Sequence, residues 1–148
     1  MRAIASRLST GACRVAVTAV GVVAAGCGGA HGHATGSLPV VPITERDFTI
    51  QAPKRLAAGD VILRVRNRGP VGHELIIVRL DQAGLPLRPD GLTVNEDALQ
   101  RRQIGVLEPT SVGAVRDLHV RLGSGRYELF CNMSGHFMSG MHTTLVVR

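Results

Sequence analysis

From about residue 44 onward, apolar and polar side chains alternate with a period of two, the pattern of strands that bury one face. In "RDFTIQ", Phe48 and Ile50 share a face. "GDVILRVRNRG" sets Val61, Leu63 and Val65 against Arg64 and Arg66, then stops at the turn signal Asn67-Arg68-Gly69-Pro70. "GHELIIVRL" (72–80) is a more continuously apolar strand that opens at His73. Residues 81–111 break the rhythm: "DQAGLPLRPDG" reads as loop, and "NEDALQRRQI" as a short helix capped by Asn95, with acids in its first turn and two Arg near its end. Alternation returns in "VRDLHVRL", where Leu118, Val120 and Leu122 oppose Asp117, His119 and Arg121, so His119 falls on the surface. "RYELFC" carries Tyr127, Leu129 and Cys131 on one face, and "MHTTLVVR" carries Met141, Thr143, Leu145 and Val147, with His142 opposite. Six or seven short strands with Gly-rich turns predict an all-β, Greek-key β-sandwich over 44–148, with a short helix in one insertion.

The N-terminal part has a different texture. Arg2, Arg7 and Arg14 precede the apolar run "VAVTAVGVVAAG" (15–26), which has the length of a signal h-region and is too short to span a bilayer as a mature helix. Small residues then lead into Cys27, a pattern similar to the lipobox of bacterial lipoproteins, with Ala24 where Leu is most typical. Residues 1–26 are therefore expected to be a lipoprotein-type signal and Cys27 the lipidated first residue, facing the periplasm or cell exterior. Residues 27–43, rich in Gly, Ser, Thr and Pro, read as a flexible tether in which His31 and His33 are solvated linker histidines.

Charge and composition narrow the partners. Residues 1–26 hold three of the 17 basic residues and none of the acids, so their removal lowers the formal charge from +6 to +3. With one Tyr, three Phe and no Trp, no basic stripe with stacking aromatics is in view, which argues against nucleic acid.

Cysteine use is more telling. Cys13 lies in the signal and Cys27 at the lipobox, which leaves Cys131 alone in the folded part of an exported chain. It cannot form an internal disulfide, and an unpaired thiol in an oxidising compartment needs protection or use. It begins "CNMSGHFMSGM" (131–141), which holds His136 and every methionine except the initiator: Met133, Met138 and Met141.

Packed core would account for the methionines, but it accounts poorly for His136. A Cys/His nucleophile would require a thiolate activated near a helix N-terminus or by a paired imidazole, an oxyanion pocket and a cleft, whereas here the Cys ends a strand, the chain is short and no orienting acid recommends itself. Zinc makes little use of Met. Two imidazoles, one thiolate and a long axial thioether form the ligand set of blue copper, and Cys131, His136 and Met141 supply three of these four donors. His73, at a strand start after a turn, is the best candidate for the second imidazole, because a Greek-key sandwich can bring that strand end beside the C-terminal hairpin.

Taken together, "NRGPVGHELIIV" and "GRYELFCNMSGHFMSGMHTTLVV" resemble the small cupredoxins of the plastocyanin and azurin superfamily, with a ligand-loop spacing similar to that of rusticyanin. The resemblance covers roughly residues 44–148. It implies one type 1 copper ion, with His73, Cys131 and His136 equatorial and Met141 axial, in a monomeric electron carrier that is not an enzyme. It also implies redox protein partners that dock around His136, with Phe137 and Met138 forming an apolar rim. Glu74 departs from the pattern, since family members often carry Asn there to tie the two ligand loops together. The alternative function is a Cu(I) chaperone or copper storage or resistance protein using the same Cys/His/Met loop.

Overall fold

Among the described residues, nine strands form, six where the alternation predicts them and three at further places. The computed structural model describes residues 37–82 and 84–148. The expected signal segment, Cys27, His31 and His33 lie outside the described residues. The strands are β1 (Val40–Arg46), β2 (Thr49–Gln51), β3 (Arg55–Leu56), β4 (Gly59–Asn67), β5 (His73–Arg79), β6 (Gln103–Thr110), β7 (Val115–Leu122), β8 (Gly125–Phe130) and β9 (His142–Val147). One sheet has the order β2-β1-β4-β7 and the other β3-β9-β8-β5-β6. β1 runs parallel to β4 and β3 parallel to β9, while the remaining neighbours are antiparallel.

Between the sheets, Val41, Ile43, Ile50, Val61, Leu63, Val65, Leu75, Ile77, Tyr127, Leu129, Leu145 and Val147 pack with Cys131 and Met141. The strand phases read from sequence hold for β4, β7 and β9, whose buried residues recur at every second position, while in β8 Tyr127 and Leu129 face the sandwich as expected and Glu128 and Phe130 are buried on the other face as well. β1 begins at Val40, ahead of the expected boundary at 44, because Val41 and Ile43 enter this core beside β4.

Two expectations are corrected. The helix over 95–104 is only a 3-10 turn, Glu96–Leu99, and Asn95 makes no side-chain capping bond. Arg102 N already bonds Leu99 O, and Gln103 starts β6, so the chain is committed to the sheet before a second helical turn can form. Phe48 does not join Ile50 in the core. Arg46 pairs with Thr49, which makes Asp47 and Phe48 the two residues of a tight hairpin turn, and Phe48 is 43% exposed.

The insertion covers the outer face of the five-stranded sheet. Val94 and Leu99 meet Ile76, Val78 and Phe130 there in a second apolar cluster, with Leu85, Val106 and Phe137 at its margin. β5 is thereby buried on both faces, which explains why its sequence is continuously apolar.

Candidate metal centre

β8 ends at Phe130 and β9 begins at His142, so residues 131–141 bridge two paired strands. The bridge is stitched by its own backbone: Cys131 N donates to Met141 O at 3.1 Å, His136 N to Met133 O at 2.9 Å, and Met141 N to His136 O at 3.0 Å. Gly135 and Gly140 take left-handed φ values of 79° and 96°, which a side chain would resist. They bracket the segment that presents His136.

The first strand of the site is prepared by a side chain. Asn67, itself buried, donates through Nδ2 to Val71 O (2.8 Å) and Thr110 O (3.0 Å) and accepts Gly69 N at 2.8 Å. This folds residues 68–72 into a fixed turn and delivers His73 at the start of β5.

Donor atoms of His73, Cys131 and His136 lie within 4.8 Å of one another. His73 and Cys131 are fully buried, whereas His136 is half-buried. Cys131 Sγ is 3.4 Å from His136 Nδ1, and the two imidazole centroids are 5.3 Å apart. Met141, also fully buried, shares the core cluster of Cys131 and is bonded through its backbone to both Cys131 and His136. Met133 packs against the same core from a half-buried position, and Met138 is 53% exposed.

The electrostatics favour a cation. Burial pushes the Cys131 thiol up to about 11, against the pull of N–H groups from Glu74 and Met133. A thiol so desolvated stays protonated unless positive charge replaces the lost water. Burial lowers the His73 pKa, opposed by Asp47 and reinforced by His136, so the ring is held neutral with a nitrogen lone pair available. His73 Nδ1 is buried and has no hydrogen-bond partner among the described residues. Two imidazoles, a buried thiol and a buried thioether in one place fit a soft, tetrahedral or trigonal ion.

Glu74 answers the question its sequence position raised. Its Oε1 accepts the Asn132 backbone N–H at 2.9 Å, so it ties the β5 ligand loop to the 131–141 loop. Burial is the main cause that raises its pKa. Asn132 extends the tie: Oδ1 accepts Val94 N at 2.6 Å, and Nδ2 donates to Val94 O (3.0 Å) and Glu96 Oε1 (2.7 Å). The insertion thus clamps the loop, helped by Gly135 N to Leu92 O at 3.2 Å.

Other residues fall apart from the cluster or join it unexpectedly. His142 pairs with Glu128 at 2.7 Å on the opposite face, and His119 is exposed on β7. Phe137 turns inward, its ring 5.7 Å from Phe130 and 4.8 Å from His142. Phe48 instead stands edge-on to His136 at 5.2 Å, and Asp47 Oδ1 lies 2.8 Å from His73 Nε2. The sequence carried no signal for Asp47 at the site, and its alternation placed Phe48 on a strand face beside Ile50.

No protein-family model matches the chain, and neither does any curated protein sequence. Solved structures do. Auracyanin from the photosynthetic bacterium Roseiflexus castenholzii aligns at 16% identity with a TM-score of 0.56, covering 76% of this chain and 99% of that one. Auracyanin A of Chloroflexus aurantiacus aligns at 21% and 0.51, covering 72% and 99%. Rusticyanin from Thiobacillus ferrooxidans aligns at 14% and 0.54, covering 76% and 79%. The chain has the cupredoxin fold.

Proposed function

We propose that this protein is a type 1 (blue) copper protein that carries single electrons between redox partners. The convergence of His73, Cys131 and His136 donor atoms within 4.8 Å, in this fold, carries the reading. Auracyanin A, which shares the fold, is described as a "blue" copper protein. His73, Cys131 and His136 would hold the ion, with Met141 as the weak fourth donor. Copper bound there supplies a one-electron Cu(I)/Cu(II) couple.

The chain's own contribution is rigidity and access. Cys131 and Met141 are fixed at facing strand ends, and His73 by the Asn67 turn, so little moves when charge changes. Desolvation of Cys131 protects the thiolate from oxidation. His136 is the half-buried member, and electrons enter and leave through its edge, beside exposed Phe48 and near exposed Met138. Partners dock on this rim, to which Phe137 contributes from beneath as packing. The protein acts as a carrier and not an enzyme, as a monomer held by a lipid on Cys27 at the outer face of the cytoplasmic membrane.

Loading with Cu(II) is expected to produce an intense visible band from thiolate charge transfer, absent in Cys131→Ser. A colourless Cu(II) complex of the unaltered protein would overturn the proposal. Exposed Met138 favours the second reading, a Cu(I) chaperone. That reading requires copper handover without redox cycling and a Cu(I) affinity that falls in Met138→Leu.

A further inference from the structure

One two-residue turn reaches both imidazoles. Asp47 Oδ1 stands 2.8 Å from His73 Nε2, and the adjacent Phe48 ring meets His136. The His73 side chain is wholly buried and that of Asp47 one-quarter exposed, so the carboxylate connects the inner ring to the protein surface. The two atoms approach without full hydrogen-bond alignment, and neither has another partner among the described residues.

The neighbouring turn leaves room for this approach. A Cβ at Gly69 would collide with His73 Nε2 and lie 2.9 Å from Asp47 Oδ1. Asn67 holds the Gly69 backbone in that position through Gly69 N to Asn67 Oδ1 at 2.8 Å. Two separate elements, the β1–β2 turn and the β4–β5 turn, are therefore shaped around one nitrogen of His73.

A neutral imidazole offers one donor and one acceptor nitrogen, and an acceptor beside one of them selects which carries the proton. We infer that Asp47 is a positioning residue for His73: its carboxylate holds the ring as the Nε2–H tautomer, which leaves Nδ1 to bind the ion, and its negative charge favours the more highly charged oxidation state. The tautomer part stands on the metal-free geometry, while the charge part rests on the copper reading. Carboxylate partners of this kind orient metal-binding imidazoles and raise their basicity.

Long-range proton–nitrogen NMR of the metal-free protein at neutral pH reads the His73 tautomer. The expected result is Nε2–H in the unaltered protein and in Asp47→Asn, whose amide oxygen still accepts, and a mixture of tautomers in Asp47→Ala. An Nδ1–H ring in the unaltered protein, or no change in Asp47→Ala, overturns the inference. In the copper-loaded protein, Asp47→Asn should raise the reduction potential without moving the unfolding midpoint, and an unchanged potential overturns the charge part. Asp47→Ala should weaken copper binding about tenfold to a hundredfold. A colourless Cu(II) protein whose tautomer still depends on Asp47 sinks the copper reading alone, and a blue protein with Nδ1–H sinks this inference alone.

Discussion

Phe130 and Cys131 are neighbours in the chain, both fully buried, and belong to different cores. Cys131 faces the sandwich, where strand phase brings it together with Met141. Phe130 faces outward into the cluster under the insertion. The sandwich side is built almost wholly from apolar side chains at alternating positions. The insertion side couples a small apolar cluster to polar bonds centred on Asn132. The sandwich face therefore supplies the donors, and the insertion face restrains the loop that carries them.

Core truncations should break the two sides differently and produce the largest effects. Leu129→Ala, in the sandwich, is expected to cost about 2–5 kcal/mol of global stability, and Phe130→Ala about 3–5 kcal/mol. Hydrogen exchange distinguishes them: Leu129→Ala should raise exchange throughout the strands, whereas Phe130→Ala should raise it first across residues 84–110. Uniform acceleration in both would mean that the insertion is not a separate unit of stability.

Polar groups sharpen the same contrast. Glu45 points into the sandwich with Val41 and Ile43, is 1% exposed, and leaves Oε1 without a hydrogen-bond partner among the described residues. Burial raises its pKa from 4.5 to about 7, opposed by Arg116 and reinforced by Glu74. Because the folded value is the higher one, the unfolded chain loses this proton first. The contribution of Glu45 to the stability of the metal-free protein should thus be fully present below about pH 4.5, fall as pH rises toward about 7, and then level off. The expected drop is on the order of 3 kcal/mol. Urea titrations across this range should show a steeper fall in the unaltered protein than in Glu45→Gln.

Asn132 is the bonded counterpart. Asn132→Ala leaves the Val94 N–H and C=O and the Glu96 carboxylate short of partners, at a cost of about 1–3 kcal/mol. Its signature should be local, with faster exchange at Val94 and Gly135 and a broadened copper spectrum. The smallest effect is expected on the solvent side of the other sheet. Arg64→Ala, which breaks the exposed pair with Asp117, should change the urea midpoint by less than about 1 kcal/mol equivalent.

Legibility followed the same division. Alternation placed Leu129, Cys131, Met141 and Leu145 on inward faces because the side chains that enter the sandwich recur at every second position, even in β8, where the outer face is buried too. It failed at Phe48, where a two-residue turn interrupts the register that would have paired it with Ile50. It failed again over 95–104, where Asn95 and the acids resemble a helix start but the chain is drawn into β6. Phe137 reads as surface in the sequence and packs inward because the insertion provides a wall that no local pattern announces. Glu74 reads as a departure, yet it performs a loop tie through a bond to a residue 58 positions away.

By itself the sequence determined the donor types, their order along the chain, and the inward phase of Cys131 and Met141, because these depend on residue chemistry and the two-residue strand period. Only the tertiary structure decided that His73 closes the cluster, that Asp47 and Phe48 reach its two imidazoles, and that Asn132 is held by a segment 38 residues earlier. Periodicity reports which way a side chain faces. What it meets there is set by the packing of sheets and turns remote in sequence.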